Sequence, residues 1–217
     1  MADRVVAQKR SRRETNKERV IAQALQCFVE QGIETAKVSE IARRAGLTER
    51  SVYRYFATKA DLVLETALLF WSQAMGQVDA QAQKDLTQDM CGVERISRIL
   101  RGYAQLYFTH RQTLVFVHEA EAYLNRCGKA LLVENKPPAA FEACVGPLSA
   151  AIHRGLEDGS VRRDIDVASL YYNTYDALLG LIQKLAIGGR NDAGGDESAR
   201  VRLEQFCAMM ESFYRKQ

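Results

Sequence analysis

The chain has 217 residues, a formal net charge of +3 and 47% hydrophobic content, enough to bury about 70% of its unfolded surface without a covalent staple. Its five cysteines, Cys27, Cys91, Cys127, Cys144 and Cys207, are scattered and lack C-x-x-C spacing, which argues against a disulfide framework or a zinc site and fits a reduced cytoplasm. No apolar run approaches the roughly 18 residues of a membrane span, and the charged N-terminus lacks the apolar stretch of a signal peptide.

Charge is unevenly placed. Residues 1–59 hold 13 Lys and Arg against 7 Asp and Glu, whereas 60–217 hold 17 against 20. The leading Arg4, Lys9, Arg10, Arg12, Arg13, Lys17 and Arg19 read as a basic arm, irregular up to about Arg13, that either follows phosphate into a minor groove or only solubilises the terminus. A first helix is predicted from Thr15, where Thr15-Asn16-Lys17-Glu18 has capping-box spacing, although Ser11-Arg12-Arg13-Glu14 offers the same one turn earlier.

Two short helices bent around a glycine follow. Val38, Ile41, Ala42 and Ala45 recur at i, i+3, i+4 and i+7, and Gly46 supplies the left-handed residue that stops the helix. Leu47 returns to the core, Thr48 is an N-cap, and Val52 and Phe56 bury the next helix. Glu49, Arg50, Ser51, Tyr53 and Arg54 are left outside. Arginine can bond guanine edges in bidentate fashion, hydroxyls suit phosphate or base acceptors, and a helix N-terminus favours a phosphate. Helix, glycine, helix alone is equally compatible with a plain helical hairpin.

From about Arg19 to Leu64 the chain resembles the N-terminal domain of the TetR family of bacterial transcriptional regulators. The matching residues are Ile21, Ala24, Leu25, Phe28 and Gly32, then Ile41-Ala42 and Ala45-Gly46, then Tyr53, Tyr55-Phe56 and Lys59. It departs from the family pattern at Lys37, where a Thr is usual, and at Glu49-Arg50, where a small residue is usual. The resemblance implies a three-helix helix-turn-helix domain over residues 1–58 and a helical effector-binding and dimerisation domain over 59–217. Base readout is expected from Arg50, Tyr53 and Arg54, with Glu49, Ser39 and Ser51 as lesser candidates; phosphate contacts are expected from Lys37, Thr48, Tyr55 and Lys59.

The remainder reads as all-α. Helices are expected roughly at 15–31, 38–45, 49–55, 59–84, 93–108, 111–133, 139–158, 166–188 and 197–215, about nine in all. The stretch Gly188-Gly189-Arg190-Asn191-Asp192-Ala193-Gly194-Gly195-Asp196 reads as a loop, and with no strand before it a phosphate-binding role is rejected. The last two helices carry apolar faces that include Leu178, Leu181 and Ile182, and Phe206, Met209, Met210 and Phe213. In the family's layout such helices pair with their twins, which implies a homodimer on a palindromic operator.

Trp71, Met75, Tyr103, Tyr107, Phe116, His118, Tyr123 and Tyr175 form an apolar set with a few hydroxyls and imidazoles that could line a cavity for a small hydrophobic effector, although taken singly such residues are more often core than ligand contacts. The existence of an effector pocket is implied by the resemblance. His118-Glu119-Ala120-Glu121 with His110 invites a metal reading, but Ala122 occupies the place of the second His of H-E-x-x-H. No cofactor motif, Gly-rich strand-to-helix loop or G-x-S-x-G elbow is present, so an enzyme is not expected. Cys127 or Cys144 could sense redox state, although buried free thiols are commoner. The chain therefore reads as a cytoplasmic, ligand-responsive, dimeric repressor. The alternative is a helical binding module without DNA specificity.

Overall fold

The computed structural model describes residues 2–131, 146–188 and 195–217, with the side chains of 2–11 and of residue 83 outside that description. Nine helices run in order through these residues: α1 (Ala2–Gln31), α2 (Val38–Arg44), α3 (Glu49–Tyr53), α4 (Lys59–Asp85), α5 (Gly92–Ala104), α6 (Leu106–Arg126), α7 (Pro147–Asp158), α8 (Val167–Gly188) and α9 (Gly195–Tyr214). The all-α expectation holds among the described residues. The extended pairing recorded there is an isolated antiparallel bridge between Val161 and Arg215.

Several boundaries differ from the expectation. The basic arm is not irregular, since α1 is continuous from Ala2 and carries Ser11 and Thr15 in its interior. Residues 2–31 contain no Gly or Pro and are rich in Ala, Arg, Gln, Glu and Lys, strong helix formers that outweigh the local caps. The expected helix 111–133 starts earlier and ends earlier, at Arg126. There Gly128 adopts a left-handed conformation (φ 68°), and the Lys129 amide donates to the Leu124 carbonyl at 2.9 Å in a helix-ending Schellman pattern. Within α6, His110 departs from helical geometry (φ −133°, ψ 25°) and breaks the rod. Part of the expected helix 139–158, Cys144, and most of the expected loop between α8 and α9 lie outside the described residues.

The chain forms two compact units, Met1–Trp71 with Val115–Val133, and Ser72–Leu114 with Glu134–Gln217. The first is larger than the expected head of 1–58. Val20, Ala24 and Phe28 of α1, Ile41 and Ala42 of α2, Val52 of α3, and Leu62 and Val63 of α4 are buried in it together with Phe116, Val117, Ala120 and Leu124 of α6. The rings of Phe28 and Phe116 stack at 5.6 Å and 8°. Arg126 reaches Glu34 at 2.8 Å, and Lys129 reaches Asp61 at 2.7 Å.

In the second unit α5 is the central element, burying Ile96, Ile99, Leu100 and Tyr103 against α7, α8 and α9. Its N-terminus meets α7 at two glycines. A methyl group placed on Gly92 would strike the Gly155 backbone, and one on Gly155 would strike the Val161 side chain. The same approach lets Asp158 accept from the Gly92 amide at 2.8 Å and Ser160 accept from the Val93 amide at 3.1 Å, which satisfies donors that a helix start leaves open.

Gly155→Ala should therefore destabilise the chain. Overpacking costs about 1–3 kcal/mol, opposed by a helix-propensity gain of about 1 kcal/mol. The urea midpoint should fall, and Val161→Ala in the same chain should restore part of it. An unchanged midpoint in the single variant would mean that the crossing is looser than described.

Candidate nucleic-acid interface

The turn between α2 and α3 sets the site. Gly46 has φ +66°, and the amides of Gly46 and Leu47 donate to the carbonyls of Arg43 and Ala42, which closes α2 and redirects the chain. Thr48 is extended (φ −87°, ψ 152°), and its hydroxyl accepts from the Ser51 amide at 3.2 Å. Val52 and Phe56 are buried, which leaves the opposite side of α3 in solvent.

Helix α2 is held to α1 by charge. Glu40 accepts from Arg43 at 2.8 and 2.7 Å and from Arg44 at 2.9 Å, and Arg44 also reaches Glu30 of α1 at 2.7 Å. The bonds from Arg43 and then Arg44 hold the Glu40 carboxyl well below the usual carboxylate range, at about 2. Both arginines of α2 are thus engaged with carboxylates.

Glu49, Arg50 and Tyr53 are exposed on α3 and Arg54 at its C-cap, as is Ser39 on the first turn of α2. Ser51 is half-buried and tethered: its hydroxyl lies 2.9 Å from that of Thr48 and accepts from Arg54 at 3.2 Å. With the Ser51 hydroxyl donating to the Thr48 oxygen, the Thr48 hydroxyl is free to donate outward, as a phosphate contact requires. Arg54 is steadied from its own helix in the same way.

Lys37 is the N-cap of α2 through its backbone and makes no side-chain cap bond. Its side chain is exposed. Lys59 opens α4 and donates to the Glu34 carbonyl at 3.2 Å, and burial lowers its pKa. The Tyr55 hydroxyl accepts from Asn16 of α1 at 3.5 Å. Beside it is a hollow of about 260 Å³ lined by Arg13, Glu14, Lys17 and Tyr55. Lys17 is steadied there by Glu65 at 2.9 Å and stands 5.7 Å above the Phe56 ring. Arg13 and Lys17 were legible only as members of a loose arm; their i, i+4 spacing on a helix was the signal that joins them to Tyr55.

The expected effector set divides four and four. Trp71, Phe116, His118 and Tyr123 belong to the first unit, and Met75, Tyr103, Tyr107 and Tyr175 to the second. Phe116 is buried and stacked on Phe28, and His118 is exposed. Arg126 covers the half-buried Tyr123 ring at 6.0 Å, and half-buried Trp71 packs on Phe70 at 5.4 Å. Half-buried Met75 lies on α4. Tyr107 is buried, donates to Asp196 at 3.3 Å and lies under Arg111 at 5.2 Å. Tyr175 donates to Tyr103 at 2.9 Å.

The expected dimer set also divides. Leu178 and Ile182 are 0% exposed and belong to the chain's own core, whereas Met209 is 66% and Phe213 50% exposed. Leu181, Phe206 and Met210 are half-buried. The correction arises because α8 is apolar around much of its circumference, so its inward stripe reads like an interface. Among the described residues no helix is long and apolar enough to cross a membrane, and no cluster of His, Cys, Asp and Glu could hold a metal ion.

Residues 20–66 match the family described as bacterial regulatory proteins, tetR family. The HTH-type transcriptional repressor KstR2 of Mycobacterium tuberculosis is 26% identical over 174 residues, 78% of each chain. The fatty acid metabolism regulator protein of Bacillus subtilis is 21% identical over 148 residues, 68% of this chain and 72% of its own. The solved structure of the transcriptional regulator FadR from Bacillus subtilis in complex with stearoyl-CoA is similar in fold, with a TM-score of 0.59 at 15% identity over 90% of this chain and 98% of that one. The capped α3 and these matches together support a DNA-binding transcriptional regulator. The match falls on the helix-turn-helix segment, so over residues 20–66 the DNA-binding head is of the tetR type.

Two outcomes test the local construction. Thr48→Ala removes the cap and should cost about 1 kcal/mol of stability along with DNA affinity; equal melting temperatures would show that the cap is idle. The Glu40 pairing has a depressed carboxyl pKa, so its contribution is complete above 4.5 and is lost as pH falls toward about 2. Over that window the melting temperature of wild type should fall more steeply than that of Glu40→Gln.

Proposed function

We propose that the chain is a repressor that grips a palindromic operator as a homodimer and releases it when a small, largely apolar effector binds. The observation that carries this reading is the exposed face of α3 behind the Thr48 cap. Arg50, Tyr53 and Arg54 read base edges there, Glu49 accepts from a cytosine amino group, and Ser39 and Ser51 contribute at the margins. Lys37, Thr48, Tyr55 and Lys59 fix the register on phosphates, with Arg13 and Lys17 beside Tyr55. DNA reading belongs to residues 1–58, with 115–133 as their support, and effector binding and dimerisation to the rest of 59–217. The chain works in the cytoplasm as a regulator and not as an enzyme.

A two-fold dimer supplies the second recognition helix that a palindrome needs. The exposed Val201, Met209 and Phe213 of α9 and Ile187 of α8 support that contact. The relatives named for fatty acid metabolism, one of them solved with stearoyl-CoA, support an effector with a large apolar portion. The link is α4, one helix of 27 residues, roughly 40 Å long at 1.5 Å per residue, with Lys59 at its start and Asp79 near its end. An effector that prefers a tilted α4 would draw the two recognition helices off register, and a coupling of about 1–3 kcal/mol would weaken operator binding roughly 5- to 150-fold.

Random-sequence selection should enrich an inverted repeat, and Arg50→Ala should lose about 1–3 kcal/mol of discrimination at particular base pairs. With about eight phosphate contacts per dimer, log affinity should fall with log salt at a slope near −7, made shallower by about one or two in Lys59→Ala. Met209→Asp with Phe213→Asp should sediment as a monomer and lose operator affinity. Selection without an inverted repeat would overturn the regulator reading in favour of a binding module without DNA specificity.

A further inference from the structure

The second unit holds an open cleft of about 370 Å³ among α4, α5 and α7, within the size range of small-molecule sites. Its walls include Ala82, Leu86, Ala150 and Ala151, small or apolar side chains that leave room for a hydrocarbon body, together with Asp79 and Arg95. Arg95 is turned to backbone: its guanidinium donates to the Met90 carbonyl at 3.0 Å and the Thr87 carbonyl at 2.7 Å. Asp79 has different surroundings. Tyr175 donates to Tyr103 at 2.9 Å, and Tyr103 donates to one Asp79 oxygen at 3.4 Å, so a chain of two phenols ends on a carboxylate at the cleft wall. The groups acting on that carboxyl are its own burial, which raises its pKa, and the Tyr103 hydroxyl, which opposes the rise.

A carboxylate can accept several hydrogen bonds, and one long bond from a phenol leaves most of that capacity unused. Among the described residues Arg95 is committed to backbone carbonyls, and partial burial disfavours the charged form of Asp79, so a donor arriving with positive charge would gain both a charge-assisted bond and relief of that burden. An anionic head in the same place would meet repulsion. We propose that the effector carries a hydrogen-bond-donating, cationic head on an apolar body, with the body in the α4, α5 and α7 cleft and the head on Asp79. This rests on the reading of the chain as an effector-responsive regulator and names the chemical class of that effector.

A matched series with one hydrocarbon tail tests it: decylamine, decanol and decanoate titrated into the full chain by calorimetry, below their micelle concentrations. Decylamine should bind most tightly, decanol less so and decanoate least. Asp79→Asn should narrow the gap between amine and alcohol by about tenfold or more. Decanoate binding as tightly as decylamine, or no binding by any of the three, overturns the proposal on wild-type protein alone, whatever the folding of the variant. A gap between amine and alcohol unchanged in a folded Asp79→Asn chain overturns it too. Operator affinity is measured in parallel. Amine binding that depends on Asp79 but leaves operator affinity unchanged upholds the head-group assignment and removes the release reading; operator release by a compound indifferent to Asp79 does the reverse.

Discussion

The stacked rings of Phe28 and Phe116 join the first helix to the second half of the sixth, and the identity of the DNA-reading unit depends on that contact. One long and two short helices, built on Val20, Ile41 and Val52, make a small head, and small heads bury too little apolar surface to be rigid alone. The borrowed segment of α6 adds Phe116, Val117, Ala120 and Leu124 to the buried set, and the ion pairs Arg126–Glu34 and Lys129–Asp61 fasten its end. Those pairs are partly exposed and contribute little energy individually. Their value is orientation, because Asp61 also accepts from the Thr58 amide at 2.8 Å, at the start of the helix that follows the recognition element.

Around that head, polar groups are used twice. Arg44 bridges Glu40 and Glu30, and Ser51 stands between Thr48 and Arg54. A five-residue helix such as α3 is too short to be stable from propensity alone. It is stabilised by its cap, by buried Val52 together with buried Phe56 just beyond its end, and by the turn before it. The readout face can therefore remain polar and solvated without threatening the helix that bears it.

The helix-turn-helix was legible in the sequence because its signals are local: apolar spacing, a left-handed glycine and a capping threonine fall within a few residues of one another. Features set by distant contacts were not. Ser11 and Thr15 offered good caps, yet nothing nearby breaks the helix, so α1 runs through both. Leu178 and Ile182 share periodicity with an interface stripe, and only the packing of α5 and α9 against α8 reveals that this stripe faces inward. Phe116 and His118 are two residues apart in the aromatic list, and their opposite burial follows from the position of α1 against α6. The Asp79 cleft carried no motif, since its residues come from α4, α5 and α7 and the positions flanking them, far apart in the chain.

The first compact unit is discontinuous in the chain, made of an N-terminal block and a later segment of α6. Recombination that exchanges only the N-terminal block between relatives would leave Phe28 opposite a foreign residue at position 116. Chimeric biosensors assembled from this chain thus need three junctions, near 71, 114 and 133, and a single cut after the recognition helix would graft half of a folding unit.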